Sequence, residues 1–112
     1  MNIKAIIEES INTKTRILEN EPLLNSITKT ALLCIDTFKN DGKVLLCGNG
    51  GSAADAQHIA AELSGRFYYD REPLFAEALH VNTSYITAVA NDYSYAEVYA
   101  RMIKAAGKKV IF

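Results

Sequence analysis

KVLLCGNGGSAADAQHIAAELSGRF, residues 43–67, sets three local signals in a row. Lys43 to Cys47 is a short continuous apolar run, the pattern of a strand buried on both faces. It passes directly into Gly48-Asn49-Gly50-Gly51-Ser52, a glycine-rich turn. From Ala53 to about Phe67 an alanine-rich helical stretch follows. Strand, glycine turn and helix open an α/β unit, in which ligands sit at the carboxyl ends of the strands.

Glycines at such a turn let a ligand approach the backbone and turn N–H groups towards it. The positive end of the next helix favours a phosphate or carboxylate. The spacing matches neither GxGxxG nor a Gly-Lys-Ser/Thr loop, and a tight glycine turn can also be purely structural. Behind the turn, Asp55, His58, Glu62 and Arg66 are spaced three, four and four apart. They share one helix face within roughly 80°. Ala56, Ala60, Leu63 and Phe67 form an adjacent apolar face suited to packing on the sheet. His58 and Glu62 at i, i+4 can converge on one metal ion or one proton-transfer site. The alternative is an ordinary exposed His–Glu pair. A zinc site needs a third and fourth ligand, for which the sequence offers no convincing partner.

Outward from this segment, residues 1–40 predict two amphipathic helices. Ile3, Ile6, Ile7, Ile11, Ile17 and Leu18 approximate one stripe, and Leu23, Leu24, Ile27, Ala31, Ile35 and Phe38 a second. Asn20-Glu21-Pro22 separates them, with Pro22 suited to a first helical position, and Asn40-Asp41-Gly42 ends the pair. These helices carry no chemical constellation and read as packing or oligomer-forming elements. On the C-terminal side, Phe75 to Val81 predicts the next strand. Thr83 or Ser84 caps a short helix through Ala90. Ser94 with Glu97 forms a capping box ahead of Val98, Tyr99, Met102 and Ile103, and Gly107 closes that helix. Lys109 to Phe112 begins another strand. A parallel sheet needs helices over its last strands, so the expectation is an incomplete chain.

The chain has 112 residues, 49% of them hydrophobic and 22% charged, which fits one folded domain and excludes disordered or fibrous classes. A net charge of −1, without long runs of either sign, argues against nucleic acid as a partner. Tyr68, Tyr69, Tyr93, Tyr95 and Tyr99 lack the basic patch that a base-stacking platform requires. No apolar stretch approaches the ~20 residues of a membrane span, and MNIKAIIEES lacks a signal peptide's basic front and apolar core. The expectation is a cytoplasmic protein without a membrane partner. Cys34 and Cys47, flanked by apolar residues, read as reduced, buried, structural thiols.

The segment Gly48 to Phe67 closely resembles the bacterial phosphoheptose isomerases, members of the sugar isomerase (SIS) domain superfamily. Asn91-Asp92-Tyr93 is similar to a second signature of that family, and the two N-terminal helices also match. The resemblance spans about residues 1–107. It implies a partial SIS-type, flavodoxin-like parallel sheet sandwiched by helices, preceded by two N-terminal helices. Residues 1–112 would then be a single, incomplete SIS domain: a helical pair over 1–40 and the first half of the α/β sheet over 43–112. It also implies conversion of sedoheptulose 7-phosphate to D-glycero-D-manno-heptose 7-phosphate, for ADP- or GDP-heptose and lipopolysaccharide-core synthesis. Members are cytoplasmic homotetramers with active sites between subunits, and hold zinc partly through the positions of His58 and Glu62.

By the same resemblance Glu62 is the catalytic base. Asn49, Gly50, Gly51 and Ser52 form the sugar-phosphate turn, and Glu62, Arg66, Asn91 and Asp92 contact substrate. Two departures stand out. The family's second, Ser/Thr-rich loop and its late helix with a further His and Gln lie beyond these 112 residues. The Gly-Asp that precedes the family's next strand is replaced by Lys108-Lys109. His80-Val81-Asn82 stands where relatives tend to have small hydroxyl residues, and His80 reads as a loop or strand-end residue rather than a ligand. The expectation is half an active site, inactive or nearly so alone. A competing reading is a non-catalytic SIS-fold protein that binds phosphosugars or associates with a replication initiator. A third is a surviving oligomerising fragment.

Overall fold

The computed structural model describes residues 1–107, in two compact units, Met1–Ile35 and the chain from Asp36 onward. The strand expected over 109–112 lies outside the described residues.

The first unit is helical. α1 (Ile3–Leu18) starts on Asn2, whose side-chain oxygen accepts from the Ala5 N–H at 3.1 Å. No residue of α1 is buried: Ile3, Ile6, Ile7 and Ile11 stand exposed along it. The Asn20 side chain accepts from the Leu23 N–H at 3.1 Å and so starts α2 (Glu21–Lys39). Pro22 is thus the second helical residue rather than the first, a position that also needs no intrahelical donor.

In the second unit the chain leaves α2 through a turn in which Asp41 takes φ 55° and the Gly42 N–H donates to the Thr37 carbonyl at 2.8 Å. A Cβ on Gly42 would meet that carbonyl oxygen at 2.8 Å, so glycine is required there. β1 (Val44–Leu46) pairs in parallel with β2 (Ala76–Ala78), Val44 opposite Ala76 and Leu46 opposite Ala78. α3 (Gly51–Ser64) connects them, the crossover that a parallel pair needs. Ala56 and Ala60 of α3 are buried against Ala76 and Ala78, with Val44, Leu46 and Leu63 closing the cluster. Alanine at all four central positions lets the helix lie close on the sheet.

β1 is half-buried rather than buried on both faces. The described sheet has two strands, and α3 covers one face; on the other, Glu77 is exposed. α3 also stops three residues short of the expected end, because the Gly65 N–H bonds back to the Ala61 carbonyl at 2.8 Å. Phe67 therefore leaves the packed face. It is exposed and lies against Tyr68, ring centroids 4.3 Å apart.

α4 (Thr83–Asp92) is capped by Asn82, not by Thr83 or Ser84: the Asn82 carboxamide accepts from the Tyr85 N–H at 3.0 Å. A 3-10 turn (Tyr95–Glu97) leads into α5 (Val98–Ala106). The expected capping box does not form, since the Glu97 N–H goes to the Ser94 carbonyl and the Ser94 side chain makes no capping bond. In a 3-10 turn the N–H of residue i+3 bonds to the carbonyl of residue i, so the Glu97 N–H that the Ser94 side chain would have capped is already taken. Val98, wholly buried, anchors α5. Lys43, just before β1, donates to the Ala106 carbonyl at 2.6 Å and lies 5.3 Å over the Phe75 ring. It thereby satisfies one of the orphan carbonyls at the end of α5. Both cysteines are free; Cys34 is half-buried, but Cys47, one residue beyond β1, is exposed rather than buried.

Candidate functional site

The glycine turn follows the carboxyl end of β1. Gly48 has no room for a side chain, since a Cβ would fall 2.5 Å from the Ser52 backbone. Gly50 has φ 58° and ψ −120°, a combination reserved for glycine. Around Gly51 there is open space. The Ser52 hydroxyl spans the loop: it accepts from the Asn49 N–H and donates to the Asn49 carbonyl, each at 2.9 Å. The N–H groups of Gly50 and Gly51 have no acceptor among the described residues and are exposed. The turn presents donors to an incoming anion.

On α3, His58 Nε2 lies 3.4 Å from Glu62 Oε1. The imidazole is 76% exposed and the carboxylate 35%, so the acid is the more sheltered partner. The last member of the expected stripe, Arg66, falls beyond the helix end and is exposed, without a hydrogen bond or ion pair among the described residues. Asp55 is exposed on the first turns of α3. Asn91 and Asp92 end α4, joined by a bond from Asn91 Nδ2 to Asp92 Oδ1 at 3.2 Å. Asp92 faces an open groove of about 680 Å³, shared with Tyr85, Tyr93, Arg101 and Lys104. None of the glycine-turn residues lines it. Arg101 stacks on Tyr93, 4.1 Å from its centroid.

The His58–Glu62 pair fits half of a zinc ligand set. Two donors bound to a tetrahedral zinc at about 2.1 Å lie about 3.4 Å apart. One nitrogen and one oxygen at that separation satisfy one edge of the tetrahedron. Among the described residues no group of three His, Cys, Asp or Glu side chains comes together, so the remaining corners are not supplied there.

Several contributors were not legible from spacing. Tyr95 donates through its hydroxyl to Asn49 Oδ1, and Tyr99 to the Gly48 carbonyl at 2.6 Å. The two hydroxyl oxygens are 3.5 Å apart. The paired Tyr95 hydroxyl, together with burial, pushes the Tyr99 phenol up to about 12. Arg71 reaches back to the end of α3, giving Nη1 to the Leu63 carbonyl and Nη2 to the Glu62 carbonyl, both at 2.9 Å. It steadies the turn that carries Glu62. His80 lies in the turn that follows β2, two residues beyond its end. Its Nε2 meets Gln57 Oε1 at 3.2 Å, and its buried Nδ1 has no partner among the described residues. These contacts join residues far apart in sequence, and periodicity reports only near neighbours.

No helix among the described residues is long and apolar enough to cross a membrane. The SIS domain family matches residues 7–111. The phosphoheptose isomerase of Aneurinibacillus thermoaerophilus is 50% identical over 105 residues, 94% of this chain and 53% of that protein. That of Sulfurimonas denitrificans is 47% identical over 95% of this chain and 54% of its own length. Among solved structures, the phosphoheptose isomerase of Neisseria gonorrhoeae superposes with a TM-score of 0.83 at 41% identity, and that of Francisella tularensis with 0.85 at 36%. Each match covers 94% of this chain and, respectively, 53% and 54% of the solved one. The chain thus spans about half the length of the relatives it matches. With the strand–glycine turn–helix unit, its parallel partner strand and the match over residues 7–111, this chain belongs to the SIS domain family, in its phosphoheptose isomerase branch.

Proposed function

We propose that this chain carries the first half of a phosphoheptose isomerase site, acting on sedoheptulose 7-phosphate to give D-glycero-D-manno-heptose 7-phosphate. The observation that carries the reading is the His58–Glu62 pair on the helix that leaves an open, donor-rich glycine turn. Moving a carbonyl from C2 to C1 needs a base that removes a proton from C1, passes through an enediol and returns a proton to C2. Proton and carbonyl exchange places, so no oxidant or reductant is consumed. Glu62 is the base. Its Oε1 faces His58, which leaves the second oxygen for the proton.

Asn49, Gly50, Gly51 and Ser52 take the sugar phosphate; Arg66, Asn91 and Asp92 meet its phosphate or hydroxyls, with the rest of the site supplied from outside the described residues. When zinc is bound, His58 and Glu62 hold it in part, and it supplies Lewis-acid polarisation of the carbonyl. Assembly is as a cytoplasmic homotetramer, a reading supported by the apolar ridge of α1, on which no residue is buried. The product would enter heptose-nucleotide and lipopolysaccharide-core synthesis.

The test is an isomerase assay of the purified chain with zinc and sedoheptulose 7-phosphate, beside Glu62→Gln. Turnover that falls at least about a hundredfold in the variant, as expected for a lost general base, supports the reading. A folded chain that binds the sugar phosphate without turnover is a binding module, and the enzyme reading of this polypeptide then fails.

A further inference from the structure

We infer that Tyr95 and Tyr99 are positioning residues for the sugar-phosphate turn, and that the Tyr95 hydroxyl sets its preference for anions. The inference rests on the proposed reading of Gly48 to Ser52 as that turn.

Asn49 is held on three sides. Ser52 satisfies both its backbone N–H and its carbonyl, and Tyr95 takes its side-chain oxygen. Gly48, one residue earlier, has its carbonyl fixed by Tyr99. The two tyrosines come from the 3-10 turn and the first turn of α5, 46 and 51 residues away in sequence. The loop is therefore fastened at its start, while Gly50 and Gly51 keep free N–H groups at its tip.

The chemical consequence lies in the carboxamide. An asparagine side chain can both donate and accept. The bond from Tyr95 fixes which end of the carboxamide is the oxygen, so its Nδ2 is the end left without a partner among the described residues, beside the free N–H groups of Gly50 and Gly51. The groups of this stretch left wholly without a partner are therefore donors, which match phosphate oxygens better than a sugar hydroxyl. Losing the Tyr95 hydroxyl would free the carboxamide to turn over and accept. Tyr95 is half exposed, so burial alone does not fix its ring. Phenylalanine fills the same volume and removes only the oxygen.

The experiment uses the 112-residue chain, 15N-labelled, as wild type, Tyr95→Phe and Tyr99→Phe. Amide exchange is followed without ligand, and inorganic phosphate and sedoheptulose 7-phosphate are titrated separately. The expected result is that the Asn49 amide exchanges about tenfold faster in each variant, with Ala56 and Ala60 unchanged. Affinity for inorganic phosphate should fall about five- to tenfold in Tyr95→Phe, the size of one lost hydrogen bond. Unchanged Ala56 and Ala60 amides distinguish a local effect from general loosening, and Tyr95→Phe serves if Tyr99→Phe fails to fold. Wild type and Tyr95→Phe binding phosphate equally, with equal Asn49 exchange, would overturn the inference and leave the sugar-phosphate reading intact. A folded wild type that binds neither ligand would overturn both.

Discussion

At the residue scale, the three glycines that surround Asn49 are not equivalent. Gly48 is glycine for lack of space, Gly50 for its backbone angles, and Gly51 for neither reason. Alanine at Gly48 forces the Ser52 backbone to move, so Gly48→Ala is expected to cost the most, above about 2 kcal/mol. Gly50→Ala pays only for its strained conformation, about 1–3 kcal/mol. Gly51→Ala, at the first residue of α3, should be neutral or slightly stabilising. Urea midpoints of the three variants give the order directly, and an equal loss at Gly50 and Gly51 would contradict it. Tyr99 yields a pH prediction. Its folded-state pKa is raised to about 12 from an ordinary 10. Its contribution to stability is thus complete below pH 10 and lost as pH rises through 12. Stability measured from pH 9 to 12 should fall less steeply in Tyr99→Phe than in the wild type.

At the element scale, the difference between local and distant causes decides what could be read from the sequence. The α/β unit over residues 43–67 is legible because apolar run, glycines and helical spacing are all local signals. Its limits are less so. α3 stops at Ser64 because Gly65 turns the chain, so Arg66 and Phe67 depart from the faces that an uninterrupted helix would give them. The caps show the same limit. Asn82 displaces Thr83, and in the Ser94–Glu97 pattern the Glu97 N–H is taken by the Ser94 carbonyl before the serine side chain can reach it. His58 and Glu62 are four residues apart on one helix, so their meeting was legible; the grip of Tyr95, Tyr99 and Arg71 was not. Arg71 carries a prediction of its own. It holds two of the last carbonyls of α3 with a single guanidinium, a geometry lysine cannot reproduce. Arg71→Lys should destabilise by about 1 kcal/mol, and Arg71→Ala by somewhat more. Thermal unfolding of both variants checks the difference; equal stability of Arg71→Lys and wild type would show that the fork geometry is irrelevant.

At the scale of the whole molecule, the helical unit poses a question of covering. A 16-residue helix with no buried residue gains little from packing, and isolated helices of that length are marginal in water. The isoleucines of α1 are the natural seat of another subunit in the proposed tetramer. Sedimentation at micromolar concentration should show a species heavier than the 12.3 kDa chain. Replacing Ile7 and Ile11 together by Glu should shift it towards monomer. A wild type that sediments as a monomer at high concentration would sink the assembly reading.

The Lys43 contact with the Ala106 carbonyl has a consequence in time. It joins positions 63 residues apart, on either side of the strands and helices that make up the second unit. The β1–α3–β2 segment closes over a shorter stretch and can condense first. The lysine can reach its carbonyl only after α5 has docked. An interaction made after the barrier leaves the folding rate alone and slows escape from the native state. Lys43→Met is therefore expected to speed unfolding and leave the folding rate nearly unchanged, which stopped-flow measurement of both rates checks.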